Sequence, residues 1–129
     1  MRALLDTSVL IAGESGRAID VDRPAELEAA ISIVTIGELQ LGILRSSSAV
    51  IAATRARTLA EVERTYHALP VDRAVIFEFA SLLAEARIAG SRPSTLDALI
   101  AATARAHSVP VYTQDADFDA MPGVDVVRV

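Results

Sequence analysis

Short apolar segments alternate along the chain with longer stretches whose apolar residues recur at helical spacing. The short segments predict strands at residues 3–5, 30–34, 69–71, 109–113 and 124–129. The longer stretches predict helices over residues 35–45, 49–67, 73–89 and 95–107, the last capped by Ser94 or Thr95. Strands that alternate with helices are typical of a parallel sheet covered on both faces. The pattern therefore predicts an α/β fold, a three-layer α/β/α sandwich around a mainly parallel sheet of about five strands.

The composition narrows the class of protein. The length of 129 residues fits one compact domain, so we expect residues 1–129 to form a single domain. The chain has no cysteine, which excludes a disulfide framework, thiolate zinc sites and thiol catalysis. No apolar run approaches the roughly 18 to 20 residues of a membrane span. The apolar run at the start stops at Asp6, too early for a signal peptide. We expect a cytoplasmic protein with no membrane partner.

The charged residues exclude functions that need a lysine and argue against binding to nucleic acid. All 12 basic residues are arginine, and without lysine the chain lacks a Schiff-base lysine, a P-loop lysine and the lysine of a receiver domain. The formal net charge is −5, which on bulk charge alone argues against binding to nucleic acid.

Several acidic residues fall where the elements of the predicted fold begin or end. Asp6 ends the first strand, and Glu38 lies in the first turn of the helix after the second strand. Asp97 lies in the first turn of the helix before the fourth strand, while Asp115 and Asp117 follow that strand. In a parallel sheet all five lie at the carboxyl edge, where ligands bind at the point at which the strand order reverses.

Carboxylates brought together in this way repel one another and raise one another's pKa values, a cost that a cation removes. Oxygen ligands without histidine or cysteine favour Mg²⁺ or Mn²⁺. Such an ion beside a phosphate substrate suits hydrolysis of a phosphodiester by metal-activated water, which needs no side-chain nucleophile. Taken singly, each acid also fits a helix cap, a solvated turn or an ordinary surface position, and the pattern alone leaves both interpretations open.

The segments around these acids resemble the four motifs of PIN-domain ribonucleases. They are Leu-Asp-Thr-Ser-Val-Leu at 5–10, Ser-Ile-Val-Thr-Ile-Gly-Glu-Leu at 32–39, Leu-Asp-Ala-Leu-Ile-Ala-Ala at 96–102 and Val-Tyr-Thr-Gln-Asp-Ala-Asp-Phe at 111–118. Their order, their spacing and the chain length are similar to those of the VapC toxins of bacterial toxin–antitoxin pairs. The stretch between residues 14 and 28 carries no motif and corresponds to a variable region.

The resemblance implies an endoribonuclease that depends on Mg²⁺, for which Mn²⁺ can substitute. The metal-holding and catalytic acids that it implies are Asp6, Glu38, Asp97 and Asp115. Asp117 corresponds to an additional acid that many members have, and it is a further candidate metal ligand. Thr7 and Thr113 correspond to hydroxyl positions next to the site, where they would orient the ligands.

The resemblance also implies partners. They are an RNA substrate, a VapB-like antitoxin and a second copy of the chain in a homodimer. The antitoxin would cover apolar grooves between the helices near residues 36–66 and insert an arginine or lysine among the acids. Without the four site acids the net charge is −1, so the remaining surface is close to neutral. Candidates for binding phosphate at the rim are Arg45, Arg55, Arg57, Arg87 and Arg92.

Three other functions remain as alternatives at this stage. One is a PIN-fold nuclease without a toxin role, and another is a non-catalytic interaction module with a decayed nuclease fold. Intact acids at all four motif positions argue against decay. The third, a phosphotransfer domain, is disfavoured because the chain has no lysine and its first motif is Asp-Thr-Ser and not Asp-x-Asp.

Overall fold

The computed structural model describes residues 2–14 and 28–129 of the chain. Its strands are β1 (Arg2–Leu5), β2 (Glu28–Ser32), β3 (His67–Leu69), β4 (Val111–Thr113) and β5 (Val126–Arg128). Its helices are α1 (Thr7–Glu14), α2 (Ile33–Leu44), α3 (Ala49–Thr65), α4 (Arg73–Ile88) and α5 (Thr95–His107), with a short 3₁₀ helix at Ala116–Ala120. No helix among the described residues is long and apolar enough to cross a membrane.

The sheet is parallel throughout and has the order β3-β2-β1-β4-β5. The chain builds outward from β1 through β2 to β3, then returns to the other side of β1 for β4 and β5. The strand order therefore reverses between β1 and β4. In open parallel sheets the crevice at such a reversal, beyond the carboxyl ends of the strands, is the usual ligand site.

Two apolar cores lie on opposite faces of the sheet. Leu4 of β1 packs with Leu82 of α4 and Ile100 of α5 on one face. Its neighbour Leu5 points to the other face and belongs to the core that contains Val62 of α3. All four leucine and isoleucine side chains are fully buried, and each contributes roughly 1.5–3 kcal/mol through burial. The alternation along β1 confirms the predicted α/β/α layering.

The predicted end of the second strand is wrong. Ile33 and Val34 were expected to complete a strand over 30–34, but they are the first two residues of α2. The Ser32 hydroxyl accepts a hydrogen bond from the Val34 N–H at 3.1 Å and caps the helix, so the strand ends at Ser32. Ile33 and Val34 are β-branched and favour a strand, but the cap at Ser32 starts a helix there instead.

The predicted third strand, 69–71, is also misplaced. β3 spans His67–Leu69, and α3 ends at Thr65 and not at His67. The strand pairs with β2, with Leu69 opposite Ser32, and stops before Pro70. Proline has no N–H to donate to a neighbouring strand, which explains why pairing ends there. The fourth and fifth strands are shorter than predicted and begin at Val111 and Val126.

Helix α1 was not predicted at all. Its sequence, Thr-Ser-Val-Leu-Ile-Ala-Gly-Glu, has three β-branched residues and a glycine, all of which weaken helix propensity. Burial of Val9 and Leu10 holds the helix against the sheet. The predicted variable region between residues 14 and 28 lies, apart from its ends, outside the described residues.

Candidate active site

The strand reversal brings two of the predicted acids to the crevice between β1 and β4. Asp6 directly follows β1, and its N–H donates to the carbonyl of Tyr112 in β4 at 2.9 Å. Asp115 lies two residues beyond the end of β4. The carboxyl ends of neighbouring parallel strands thus deliver both residues to one edge, as the sequence predicted.

Helices deliver two further acids to the same edge. Ser94 caps α5 by accepting a hydrogen bond from the Asp97 N–H at 3.3 Å, which places Asp97 at the third helical position. Glu38 is the sixth residue of α2 and lies in its second turn. The predicted placement of Glu38 in the first turn is wrong because α2 begins two residues earlier than expected.

Three carboxylates lie close enough to share one cation. One carboxylate oxygen from each of Asp97, Asp115 and Asp117 lies within 4.8 Å of the other two. The 3₁₀ helix sets this spacing, because Asp115 caps it and its Oδ1 accepts the Asp117 N–H at 2.9 Å. Asp117 is exposed and the other two are half-buried. An oxygen-only donor set of this kind fits a hard divalent cation. We call these three residues the carboxylate trio.

Glu38 lies in an environment that disfavours its charge. Burial raises the pKa of the Glu38 carboxyl, and the negative charges of Asp6 and Asp97 raise it further. A hydrogen bond from the Thr7 hydroxyl opposes this increase. Asp6 and Glu38 lie outside the trio, but Glu38 lies close enough to Asp6 and Asp97 for their charges to raise its pKa.

Asp97 is coupled to the remaining acids. Burial raises the pKa of Asp97, and the negative charges of Asp6, Asp115 and Asp117 add to the increase. A hydrogen bond with Ser94 acts in the opposite direction. All five predicted acids therefore form one electrostatically coupled cluster at the carboxyl edge of the sheet.

Two hydroxyl groups hold the buried carboxylate of Asp6. Ser8 and Thr113 each donate a hydrogen bond to Asp6 Oδ2 at 2.8 Å. The same hydroxyl oxygens accept backbone hydrogen bonds, Ser8 from Gln114 at 3.0 Å and Thr113 from Asp115 at 2.9 Å. The hydroxyls fix Asp6 and also tie the start of α1 to the segment after β4.

A second hydroxyl chain leads to Glu38. The Thr7 Oγ1 lies 2.8 Å from Glu38 Oε1 and 3.1 Å from the Oγ1 of Thr35. The Thr7 hydroxyl donates to the Glu38 carboxylate, and the same hydroxyl lies within hydrogen-bond distance of Thr35. Thr35 is fully buried.

Sequence reasoning found two of these four hydroxyls. Thr7 and Thr113 were predicted beside the site, whereas Ser8 and Thr35 were missed. Both missed residues lie inside the motif segments. Ser8 follows Thr7, and Thr35 lies three residues before Glu38, the spacing that puts two side chains on one helix face.

The candidate phosphate-binding arginines are spread over the molecule. Arg92 lines a cavity together with Asp117, and Arg55 lines a cavity of about 130 Å³ together with Glu38. The side chain of Arg55 is already engaged within the protein, because its Nη1 donates to the Gly42 carbonyl at 2.6 Å. The other three candidates lie at the end of α2, in a groove between α1 and α3, and in the last turn of α4: Arg45, Arg57 and Arg87.

Comparison with known proteins agrees with this geometry. The PIN domain family matches residues 3–124, a span that contains all five acids. The chain belongs to the PIN-domain family. It is 44% identical to ribonuclease VapC4 of Mycobacterium tuberculosis over 128 residues, which cover 99% of this chain and 97% of that protein. It is 52% identical to ribonuclease VapC8 of the same species over 103 residues, 78% of this chain and 88% of that protein.

A solved structure has the same fold over nearly its whole length. It is VapBC-5 of M. tuberculosis, a member of the VapBC family of toxin–antitoxin systems. It superimposes with a TM-score of 0.88 at 35% identity, over 99% of this PIN domain and 98% of the compared chain. Together these similarities place the PIN domain among the VapC-type ribonucleases.

Proposed function

We propose that this PIN domain is a Mg²⁺-dependent endoribonuclease that acts in the cytoplasm as the toxin of a toxin–antitoxin pair. The observation that carries the proposal is the cluster of five coupled acids, three of them within reach of one cation, at the sheet edge that the PIN motifs define. The names of its relatives VapC4 and VapC8 support RNA as the substrate. We also propose that residues 1–129 form a single domain, since the family match spans 3–124 and both cores pack on one sheet.

The metal would be held by the carboxylate trio, with Asp6 and Glu38 completing its surroundings. Bound Mg²⁺ supplies neutralisation of phosphate charge and activation of water. The carboxylate of Asp6 is held in a fixed position, because Ser8 and Thr113 both donate to its Oδ2. Mn²⁺, which prefers similar oxygen ligands, would substitute.

Glu38 is suited to take up a proton during hydrolysis. Its carboxyl pKa is raised by burial and by two neighbouring negative charges, which brings it closer to neutral pH. Thr7 engages Oε1, and Oε2 accepts no hydrogen bond from the described residues. One oxygen is thus anchored, and the other would accept the proton.

The test is cleavage of RNA by the purified protein in EDTA, in Mg²⁺ and in Mn²⁺. Cleavage should require a divalent cation, and Asp6→Asn should reduce it by orders of magnitude. Asp125→Asn is the matched control, because Asp125 is exposed and directly precedes β5 at the opposite, amino edge of the sheet. Full activity in EDTA, or equal activity of the two variants, would overturn the proposal.

We propose that the partners of the chain bind to its exposed apolar surface. Five large apolar residues of α2 and α3 are between 37% and 78% exposed: Ile33, Leu41, Leu44, Val50 and Ile51. We propose that a VapB-like antitoxin covers this surface, since the similar structure VapBC-5 belongs to a family of toxin–antitoxin systems. On α4, Ile76, Phe77 and Ile88 are also exposed, and there we propose a homodimer contact.

Expression in bacteria tests these partners. The chain alone should arrest growth, and co-expression with the neighbouring gene should relieve the arrest. Phe77→Asp should convert a dimer into a monomer in light scattering. RNA cleavage without growth arrest would leave a nuclease with no toxin role.

A further inference from the structure

A cavity of about 260 Å³ opens beside the carboxylate trio. It lies between the turn Ser91–Ser94, which precedes α5, and the 3₁₀ helix, from which Ala116, Asp117 and Ala120 contribute, with Met121 directly after that helix. We call it the Arg92 cavity. Asp117 belongs both to this cavity and to the trio, so the two sites share a wall.

Arg92 is the cationic group of this cavity. It is exposed, and it makes no hydrogen bond or ion pair with another residue in the part of the chain that the structure describes. This holds although Asp117 lines the same cavity. An arginine fork with free N–H groups is suited to bind phosphate oxygens in pairs.

The remaining walls combine apolar groups with hydroxyls, as the base and sugar of a nucleotide require. Pro93, Ala116, Ala120 and Met121 contribute apolar groups, and Ser91 and Ser94 contribute hydroxyls. The volume lies just below the roughly 300–1,000 Å³ of pockets that hold whole small-molecule ligands. A cavity of this size suits one unit of a longer strand.

We propose that the Arg92 cavity is a nucleotide subsite, which holds the nucleotide next to the cleaved phosphate and binds that nucleotide's phosphate through Arg92. The proposal rests on the ribonuclease function proposed above. It implies a single-stranded substrate, because a base enters such a cavity only when it is splayed out of a helix. Arg92 and the cavity walls then contribute to the choice of cleavage site.

The experiment combines Arg92→Gln with chemically altered RNA. Short oligoribonucleotides with one cleavage site carry an uncharged methylphosphonate at one flanking phosphate, first on the 5′ side and then on the 3′ side. With unmodified RNA, Arg92→Gln should raise KM by about 5- to 20-fold, the range expected for one charge-assisted phosphate contact. The slope of log KM against log salt should fall by about one.

The decisive result is that the effects of Arg92→Gln and of one methylphosphonate on KM do not add. One of the two methylphosphonates should raise the KM of the parent by a similar factor but leave Arg92→Gln unaffected, because each change removes the same contact. Arg2→Gln is the matched control. Arg2 begins β1 at the opposite edge of the sheet and pairs only with exposed Glu28 among the described residues, so its KM should equal that of the parent.

A binding measurement separates this proposal from the ribonuclease function itself. Fluorescence anisotropy in EDTA reports the affinity of the same oligonucleotides without turnover, and the same loss of additivity should appear in Kd. A parent that binds RNA in this way but never cleaves it would refute the nuclease function and keep the subsite. An unchanged KM and Kd in Arg92→Gln, or full additivity at both flanking phosphates, would overturn the subsite.

Discussion

Replacing Asp97 by asparagine should stabilise the metal-free protein and weaken its response to Mg²⁺. Asp97 carries the negative charge that burial and the charges of Asp6, Asp115 and Asp117 all disfavour. Asparagine keeps the shape of the side chain and removes the charge. It also keeps the backbone N–H that donates to Ser94, so the start of α5 stays capped.

The magnitude follows from the separation of the charges. Carboxylate oxygens in the trio lie within 4.8 Å of one another. At that distance two unit charges repel by about 1 kcal/mol in water and by about 3.5 kcal/mol at an effective dielectric constant of 20. Asp117 is exposed and Asp97 is half-buried, so solvent screening places the effect near the lower value. We expect a gain of about 1 kcal/mol in the free energy of unfolding, or about 3–5 °C in Tm.

The pH dependence of this gain has a definite sign. Because the folded-state pKa of Asp97 is raised above its ordinary value of 3.8, the folded protein binds a proton at pH values where the unfolded chain has lost it. The free energy of unfolding of the parent therefore falls as pH rises through the raised pKa. Asparagine does not titrate. The advantage of the variant should be largest at neutral pH and should vanish towards pH 4.

Urea unfolding followed by circular dichroism measures both effects, in EDTA and in Mg²⁺. Saturation with Mg²⁺ at 100 times its Kd stabilises the parent by about 2.7 kcal/mol, and the variant should gain clearly less. Asp125→Asn, the same chemical change at an exposed site away from the trio, should behave as the parent. If Asp97→Asn is less stable than the parent in EDTA at neutral pH, or if its advantage grows in acid, the reasoning is refuted.

Three further predictions concern other parts of the molecule. Thr35→Val removes the buried hydroxyl that hydrogen-bonds with Thr7 and should lower RNA cleavage by about tenfold or more, whereas Thr35→Ser should retain most of it; equal losses in cleavage assays would contradict this. Because burial raises the pKa values of Glu38 and Asp97, protons should compete with the cation above the usual carboxyl range, and the half-saturating Mg²⁺ concentration in cleavage assays should rise as the pH falls from neutral towards that range; a constant value would refute the coupling. Ser108 ends α5 at φ = 53°, so Ser108→Gly should raise stability by about 0.5–1 kcal/mol in thermal unfolding, and a lower Tm would count against left-handed strain.

The sequence was sufficient to predict the fold and the edge where the acids meet. Alternating periodicity predicts a parallel sheet, and a parallel sheet sends Asp6 and Asp115 to the same edge whatever the details of the helices. The ends of individual strands and helices were harder to predict. Ile33 and Val34 read as strand because they are β-branched, and only the contact between Ser32 and the Val34 N–H shows that the helix has already begun. Helix α1 has poor intrinsic propensity and is held by packing, which a single sequence does not reveal.

The hydroxyl groups around the acids were only partly predictable. Thr35 contacts Thr7 at 3.1 Å, and only the fold brings these two residues together. Ser8 is close to Asp6 in the chain, but its 2.8 Å contact depends on the local backbone geometry at the start of α1. The membership of the trio was also not predictable. It depends on the 3₁₀ turn that places Asp117 beside Asp115. The sequence offered all five acids as metal ligands and left a solvated turn at 115–117 open as the alternative.

The way in which the chain holds its acids suits a site that must take up a cation. A buried carboxylate needs hydrogen bonds or positive charge. Here Asp6 and Glu38 are held by neutral hydroxyls, which stabilise the carboxylates without cancelling their charge. Neither Arg55 nor Arg92 pairs with these acids among the described residues: Arg55 donates to the Gly42 carbonyl, and Arg92 forms no ion pair there. The negative potential is therefore left for an external cation. A bound metal and a basic side chain inserted by an inhibitory partner would compete for it directly, so we expect nuclease activity and its inhibition to depend on the same five charges.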